Sequence, residues 1–425
     1  MTIEFFKNTE TKERVLLISV DTGEFDAEVS VEELRELVRT AGAETEAVII
    51  QKRPKPDSVT YIGSGKLEEA RLLCESEEID VVICDGELSP TQGRCLEKLL
   101  KTRVIHRTVL ILDIFAKNAR SGEGKLQVEL AQLKYSLPRL SGQGTALSRL
   151  GGGIGTRGPG ETKLESDKRH IRRRIHTLEE NLKELSKRRE RHRERRKKDG
   201  IITAAIVGYT NAGKSTLLNT LTDADVLAEN KLFATLDPTA RAIKLPDGSE
   251  VMLIDTVGFI SRLPHFLVEA FKSTLEEATN ADILIILADA SDSECEAQLQ
   301  VTKEILGELG GENKPMITVY NKCDKANSFL LPVTRNTVKI SALKGIGINS
   351  LLECIAENMP QTKKRVLLLL PFTEGSLANE IRTSSRILRE EYKADGLFLD
   401  AVVDVDIMYK ILDYIVKEED ICQDT

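Results

Sequence analysis

The chain has 425 residues, 41% of them apolar and 30% charged, with a formal net charge of −8. These proportions are ordinary for folded domains and exclude a mainly disordered chain, and the length suits two to four domains of about 100–200 residues each. No apolar run approaches the roughly 18 residues that span a bilayer, and seven cysteines without a C-x-x-C pair argue against a disulfide framework or a zinc site. The start, MTIEFFKNTETKER, has no basic stretch followed by an apolar one. A reducing, cytoplasmic setting is therefore expected, with no secretory signal.

In chain order, residues 1–104 alternate short apolar runs with helical spacings. Residues 15–20, 46–50 and 81–84 read as strands, and 31–41, 66–76 and 90–100 as helices. Such alternation predicts a small open α/β domain with a parallel sheet. Residues 105–198 change character. Leu126, Leu130, Leu133 and Leu137 place one apolar stripe on a helix read over 107–137. A glycine-rich run, 141–160, follows. Ile171, Ile175, Leu178, Leu182 and Leu185 then form a second seam. Two seams and a connector predict an antiparallel hairpin, and a helix over 161–198 would be about 57 Å long. Between Arg157 and Gly200 there are 17 Lys/Arg against 9 Asp/Glu, which leaves the rest of the chain at −16. A basic element in an acidic chain outlines a phosphate-rich partner; a solvated charged helix is the plain alternative. No Phe, Tyr or Trp interleaves the charges in this stretch, so a base-stacking reader of single strands is not expected.

From 201 to 360 strand–helix alternation returns, with buried strands expected at 201–207, 251–255, 283–289 and 316–320. Residues 361–425 read as a smaller unit, with strands at 366–370 and 397–403 and helices at 377–392 and 408–416.

The chemistry-bearing motifs lie at strand ends. Gly208-Tyr209-Thr210-Asn211-Ala212-Gly213-Lys214-Ser215 fits G-x-x-x-x-G-K-[ST] between an apolar strand and a helical pattern that opens at Thr216. That context makes a phosphate loop: converging backbone N–H groups, Lys214 on the β/γ-phosphates and the Ser215 hydroxyl on Mg²⁺. Asp255-Thr256-Val257-Gly258 ends the next strand; Asp255 can hold Mg²⁺ through water and the Gly258 N–H can meet a γ-phosphate. Asn321-Lys322-Cys323-Asp324 selects a base. A carboxylate at Asp324 accepts from guanine N1–H and its exocyclic amine, whereas adenine would leave it unpaired. Ser341-Ala342-Leu343 would offer a backbone N–H to guanine O6. In this order, these motifs specify a guanine-nucleotide site. Between them lies Phe233-Ala234-Thr235-Leu236-Asp237-Pro-Thr239, where Thr235 and Thr239 compete on pattern to close over Mg²⁺ and the γ-phosphate. Gly63-Ser-Gly-Lys66 looks like part of a phosphate loop, but Leu67 follows instead of Ser or Thr, and a turn capping a helix is the simpler reading.

Residues 201–350 resemble the Era- and Obg-type translation-factor-related GTPases, whose second motif is similar to Phe233–Asp237; the resemblance aligns Thr235 with their Mg²⁺ ligand. Over nearly its full length the chain is similar to the HflX family of ribosome-associated GTPases. The features that carry this are Tyr61-Ile-Gly-Ser-Gly-Lys66, Glu123-Gly-Lys-Leu-Gln-Val-Glu-Leu-Ala-Gln132, Gly151-Gly-Gly-Ile-Gly-Thr-Arg-Gly-Pro-Gly-Glu-Thr-Lys163 and Asp255-Thr-Val-Gly-Phe259. The resemblance implies an α/β chain with four parts. These are a small parallel N-terminal domain (1–104), an antiparallel long-helix hairpin (105–198), a Ras-like P-loop GTPase domain (201–360) and a small C-terminal α/β domain (361–425).

It further implies GTP hydrolysis to GDP, Mg²⁺ on Ser215 and Thr235, a monomer, and binding to the 50S subunit and its rRNA. The outcome would be ribosome splitting, recycling or biogenesis; a nucleotide-dependent rRNA scaffold with negligible turnover is the alternative. Asn211 matches the asparagine that holds K⁺ in some Era-like GTPases. Many small GTPases orient the attacking water with a Gln after D-x-x-G. Phe259 stands there instead, so slow intrinsic hydrolysis is expected.

Overall fold

The computed structural model describes residues 12–140, 159–222, 232–233, 239–262, 264, 267, 276, 278–311, 313–325, 334–360, 363–393 and 395–416. The first sheet is wholly parallel, in the order β2-β1-β3-β4: β1 (Arg14–Asp21), β2 (Glu44–Lys52), β3 (Val81–Cys84) and β4 (Arg103–His106). Helices α1 (Ala27–Ala41) and α4 (Arg107–Asn118) share the core on one face, and α2 (Ser64–Ser76) and α3 (Pro90–Leu100) the core on the other. With both faces covered, residues 15–20 of β1 are all buried, as a continuous apolar run in a parallel strand requires. The Asp26 carboxylate caps α1 by accepting from the Glu28 and Val29 N–H groups, and Gly42, at φ 98°, ends it. The expected boundary at 104/105 falls inside β4. This strand is too short to stand out by periodicity, but it pairs with β3, and α4 completes the layer by packing on α1.

The long helix expected over 107–137 is two helices. Ala119 is extended, and the Ser121 hydroxyl accepts from the Gly124 N–H to start α5 (Gly122–Arg139). Its partner α6 (Pro159–Lys198) has 40 residues, about 60 Å at 1.5 Å each. The pair is antiparallel: Glu123 meets Arg189 at 3.0 Å, and Lys134, further along α5, meets Glu179, earlier on α6, at 2.9 Å. Leu130 and Leu178 are buried at the seam.

The second sheet has the order β10-β9-β8-β5-β7-β6. It comprises β5 (Ile202–Gly208), β6 (Thr239–Lys244), β7 (Glu250–Asp255), β8 (Ile283–Asp289), β9 (Met316–Asn321) and β10 (Thr337–Lys339), all parallel except β6. Helices α7 (Lys214–Thr222), α8 (Cys295–Glu308) and α9 (Ile348–Asn358) cover it. The third sheet is antiparallel, in the order β11-β13-β12: β11 (Lys363–Leu370), β12 (Arg386–Lys393) and β13 (Gly396–Asp404). Helices α10 (Gly375–Ser384) and α11 (Val405–Ile411) pack on it. The helix expected over 377–392 therefore stops at Ser384. Residues 386–393 pair instead with β13, which overrides local helical spacing by offering a full ladder of partners. Among the described residues no helix is long and apolar enough to cross a membrane.

His106, closing β4, is 4% exposed. Burial pushes its pKa down to about 4, against the opposing pull of Glu87. It is neutral in the fold and takes up a proton near pH 6.5 once unfolded. The unfolded chain binds the extra proton between those values, so stability is lost as pH falls from about 6.5 towards 4. Denaturant midpoints measured across that window should fall with pH, and less steeply in His106→Gln.

Candidate functional site

Strand β5 is buried from end to end and delivers Gly208 to the carboxyl edge of the second sheet. There the chain passes so near β8 that a Cβ on Gly208 would lie 2.1 Å from the Leu287 carbonyl oxygen. The loop turns through Asn211 at φ 62° and Gly213 at φ 94°, the left-handed region that glycine adopts without strain. A Cβ on Gly213 would lie 2.4 Å from Asn321 Nδ2. That amide donates to the Ala212 carbonyl at 2.8 Å, and Asn321 Oδ1 accepts from the Ala342 N–H at 2.9 Å. One buried side chain thus joins the phosphate loop to the Ser341–Leu343 turn.

Lys214, the first residue of α7, is buried, and Nζ donates to the carbonyls of Gly208 at 3.1 Å and Tyr209 at 2.8 Å. Burial lowers its pKa to about 8, with Asp255 acting in the opposite direction. Ser215 Oγ donates to Asp255 Oδ2 at 2.9 Å. Thr239 stands opposite Asp255 in the β6–β7 ladder, and its buried hydroxyl has no partner among the described residues. These are hard oxygen donors of the kind Mg²⁺ prefers, so the residues present fit that ion. Thr216 lies beside them on α7, half-buried.

The D-x-x-G residues divide. Thr256 Oγ1 donates to the Ile206 carbonyl at 2.8 Å and serves the strand end. Val257 is buried in the core shared with the first domain. Gly258 lies against the phosphate loop: a Cβ there would be 2.8 Å from Lys214 Nζ and 2.9 Å from Thr210 Cγ2. The backbone of Phe259 bonds on both sides, its N–H to Gly208 O at 3.0 Å and its carbonyl from the Thr210 N–H at 2.7 Å. Its ring is buried in the core beneath Tyr209 and α8.

Past the end of β9, Asp324 accepts from the Ser341 hydroxyl at 2.7 Å and pairs with Lys344 at 3.2 Å. The Ser341 bond, then Lys344, hold its carboxyl below the usual range. Lys322 pairs with Asp289 at 2.6 Å, and the Cys323 N–H donates to Ile340 O at 3.1 Å, so both brace the turn. Leu343 is 79% exposed. Phe233 is separate from this group: its ring meets Phe115 of α4 edge-on at 4.7 Å, and its carbonyl accepts from Asn118. Ala234, Thr235, Leu236 and Asp237 lie outside the described residues, as does the glycine-rich run 141–158.

Sequence motifs missed one set of residues. Tyr209 reaches across to Glu33 of α1, and Ser261 and Arg262, just past Phe259, bond to Glu33 and Asp85 of the first domain. No spacing rule joins positions 176 or 228 residues apart.

A mostly parallel sheet carries a glycine-rich phosphate loop into a helix, with D-x-x-G and N-K-x-D segments at neighbouring strand ends. That combination defines a P-loop GTPase. Residues 203–322 match the model described as "50S ribosome-binding GTPase", and residues 28–116 and 118–196 match "GTP-binding GTPase N-terminal" and "GTP-binding GTPase Middle Region". GTPase HflX of Caldanaerobacter subterraneus subsp. tengcongensis is 49% identical over 96% of this chain and 94% of its own length. GTPase HflX of Lacrimispora saccharolytica is 47% identical over 96% and 98%, and that of Escherichia coli (strain K12) 43% over 86% and 87%. The chain belongs to the HflX GTPase family.

Two substitutions probe the site. Asp324→Asn exchanges an acceptor for an amide donor that would face the guanine amine. GTP affinity should fall by about 100-fold or more, while xanthosine triphosphate, with oxygen in place of that amine, should bind better than to the parent; competition binding checks both. Gly258→Ala puts a methyl against Lys214 and Thr210. Single-turnover hydrolysis should fall at least about tenfold, with GDP affinity nearly unchanged.

Proposed function

We propose that this GTPase acts as a nucleotide-driven switch on the 50S ribosomal subunit, binding its rRNA in the GTP state and leaving after hydrolysis. The single observation that carries this reading is α6, a 40-residue helix with Arg169, Arg172, Arg173, Arg188 and Arg191 exposed. Such a face supplies sequence-independent, salt-sensitive attraction for phosphates. The ribosome-binding description of the matched GTPase model and the names of the relatives favour the same partner. The outcome is ribosome splitting, recycling or biogenesis, in the cytoplasm and with the protein as a monomer.

In the chemical step, Lys214 neutralises charge on the β- and γ-phosphates, the Gly258 N–H meets the γ-phosphate, and Thr235 closes over it. Ser215, bonded to Asp255, and Thr235 would hold Mg²⁺, which would supply positive charge against the phosphates. Asp324, with the Ser341–Leu343 turn, holds the guanine. The buried ring of Phe259 cannot orient water, so basal turnover is slow and rises on the subunit. Asn211, exposed at the loop crest, is the residue for K⁺.

GTP turnover with and without purified 50S subunits tests the proposal. Strong stimulation, lost in Asp324→Asn, is expected. GTP-dependent binding to the subunit without stimulation would replace the switch with a scaffold. Faster turnover in KCl than in NaCl at equal ionic strength, abolished in Asn211→Ala, is expected for the K⁺ site; equal rates would remove K⁺ from it.

A further inference from the structure

The first domain presents the carboxyl edge of its parallel sheet to the carboxyl edge of the GTPase sheet. Asp85 follows β3, Arg107 opens α4 after β4, and Glu33 projects from α1; opposite them stand Tyr209, Ser261 and Arg262. Glu33 is the hub. It takes hydrogen bonds from the Tyr209 hydroxyl, the Ser261 hydroxyl and Arg107. The Ser261 N–H also donates to the Tyr209 hydroxyl oxygen, and Arg107 donates to the Ser261 carbonyl at 3.2 Å. Arg262 donates to Asp85 and to Ser30, each at 2.8 Å, and Arg107 reaches Asp85 at 3.0 Å. Two carboxylates thus meet two guanidiniums.

Asp85 and Arg107 are 2% and 3% exposed. Burial would raise the Asp85 carboxyl, but Arg262 and Arg107 overcome it and keep the group ionised. The two buried charges, Asp85 and Arg107, pair with each other and each with one outer partner, so removing either of them leaves the other one short and an outer charge unpaired, and the cluster holds together as a unit.

Tyr209 is the second residue of the phosphate loop, and residues 259–262 follow directly on Gly258. The Phe259 backbone already bonds to Gly208 and Thr210. The first domain grips the same two segments from the far side. We propose that Glu33 is a positioning residue for GTP hydrolysis: through the Tyr209 hydroxyl and Ser261 it fixes the Gly258 loop against the phosphate loop. Its contacts are with Tyr209, Ser261 and Arg107, so it acts through them. Its effect is preorganisation, so that the Gly258 N–H is in place without a reorganisation cost as charge develops. The inference rests on the reading of Gly258 above.

Tyr209→Phe is the informative variant, because the ring stays in its core and only the hydroxyl bridge is lost. Single-turnover hydrolysis should slow by about five- to twentyfold, with GDP affinity within twofold of the parent, a split that loosened folding would not produce. Glu33→Gln should also slow the step, and the double variant should be little worse than the worse single one, because both break one linkage. Unchanged hydrolysis in Tyr209→Phe, equal losses in rate and GDP affinity, or losses that multiply in the double variant would each overturn the proposal. Gly258→Ala, measured alongside, tests the loop reading by itself: an unchanged rate there removes Gly258 from the chemistry whatever Tyr209→Phe does.

Discussion

Asn321 uses both ends of its amide on backbone, one on the Ala212 carbonyl and the other on the Ala342 N–H. The distance between the glycine-rich loop and the Ser341–Leu343 turn therefore hangs on one buried side chain. Gly213 has no room for a Cβ because that amide is there. The consequence extends along the whole carboxyl edge: β5, β9 and β10 are neighbours or near neighbours in one sheet, and their following loops are tied at fixed separation. A nucleotide that spans both loops meets a surface that needs little ordering, which lowers the entropy cost of binding.

The second constraint is electrostatic. Open α/β sheets offer a ligand crevice at the carboxyl ends of their strands. In the first domain that edge is filled by Ser261 and Arg262 of the same chain. Burying the charges of Asp85 and Arg107 there, with Glu33 partly buried and Arg262 at the rim, costs desolvation that their mutual attraction roughly offsets, so the cluster confers orientation more than net stability. The stabilising share comes from apolar contacts beside it: Phe233 packs edge-on against Phe115, and Val257, Ile260 and Leu267 enter the core built by α1 and α4. The Leu232 N–H also finds the Thr40 hydroxyl at 3.0 Å. The first domain thus touches residues just before the second motif, just after D-x-x-G, and within the phosphate loop, the segments that respond to the γ-phosphate in a GTPase switch.

Local pattern was legible where one face or both faces of an element are buried. The apolar runs of β1, β5, β8 and β9 and the seams of α5 and α6 declared themselves because burial imposes period or continuity. Strand β6, Thr-Ala-Arg-Ala-Ile-Lys, did not, since it lies at a sheet edge and only Ile243 is buried. Strand β12 was hidden for a related reason: it is held mainly by its ladder to β13, and a ladder partner leaves no mark in the strand's own sequence. Phe259 shows the converse. Its identity alone says that no amide stands in the water-orienting position; its burial shows where the ring goes instead.

By itself the sequence determined the motifs and the chemistry they predict: a phosphate loop, a Ser–Asp pair suited to Mg²⁺, a carboxylate of the kind that would select guanine, and a basic helix. Each depends on residues near one another in the chain or on backbone turns that glycine permits. Only the tertiary structure decided how those parts are held. Asn321 links loops 109 and 21 residues away, and Glu33 links positions 176 and 228 residues away. Contacts of that range arise from the packing of whole sheets edge to edge, and no periodicity or spacing along the chain encodes which buried acid will face which loop.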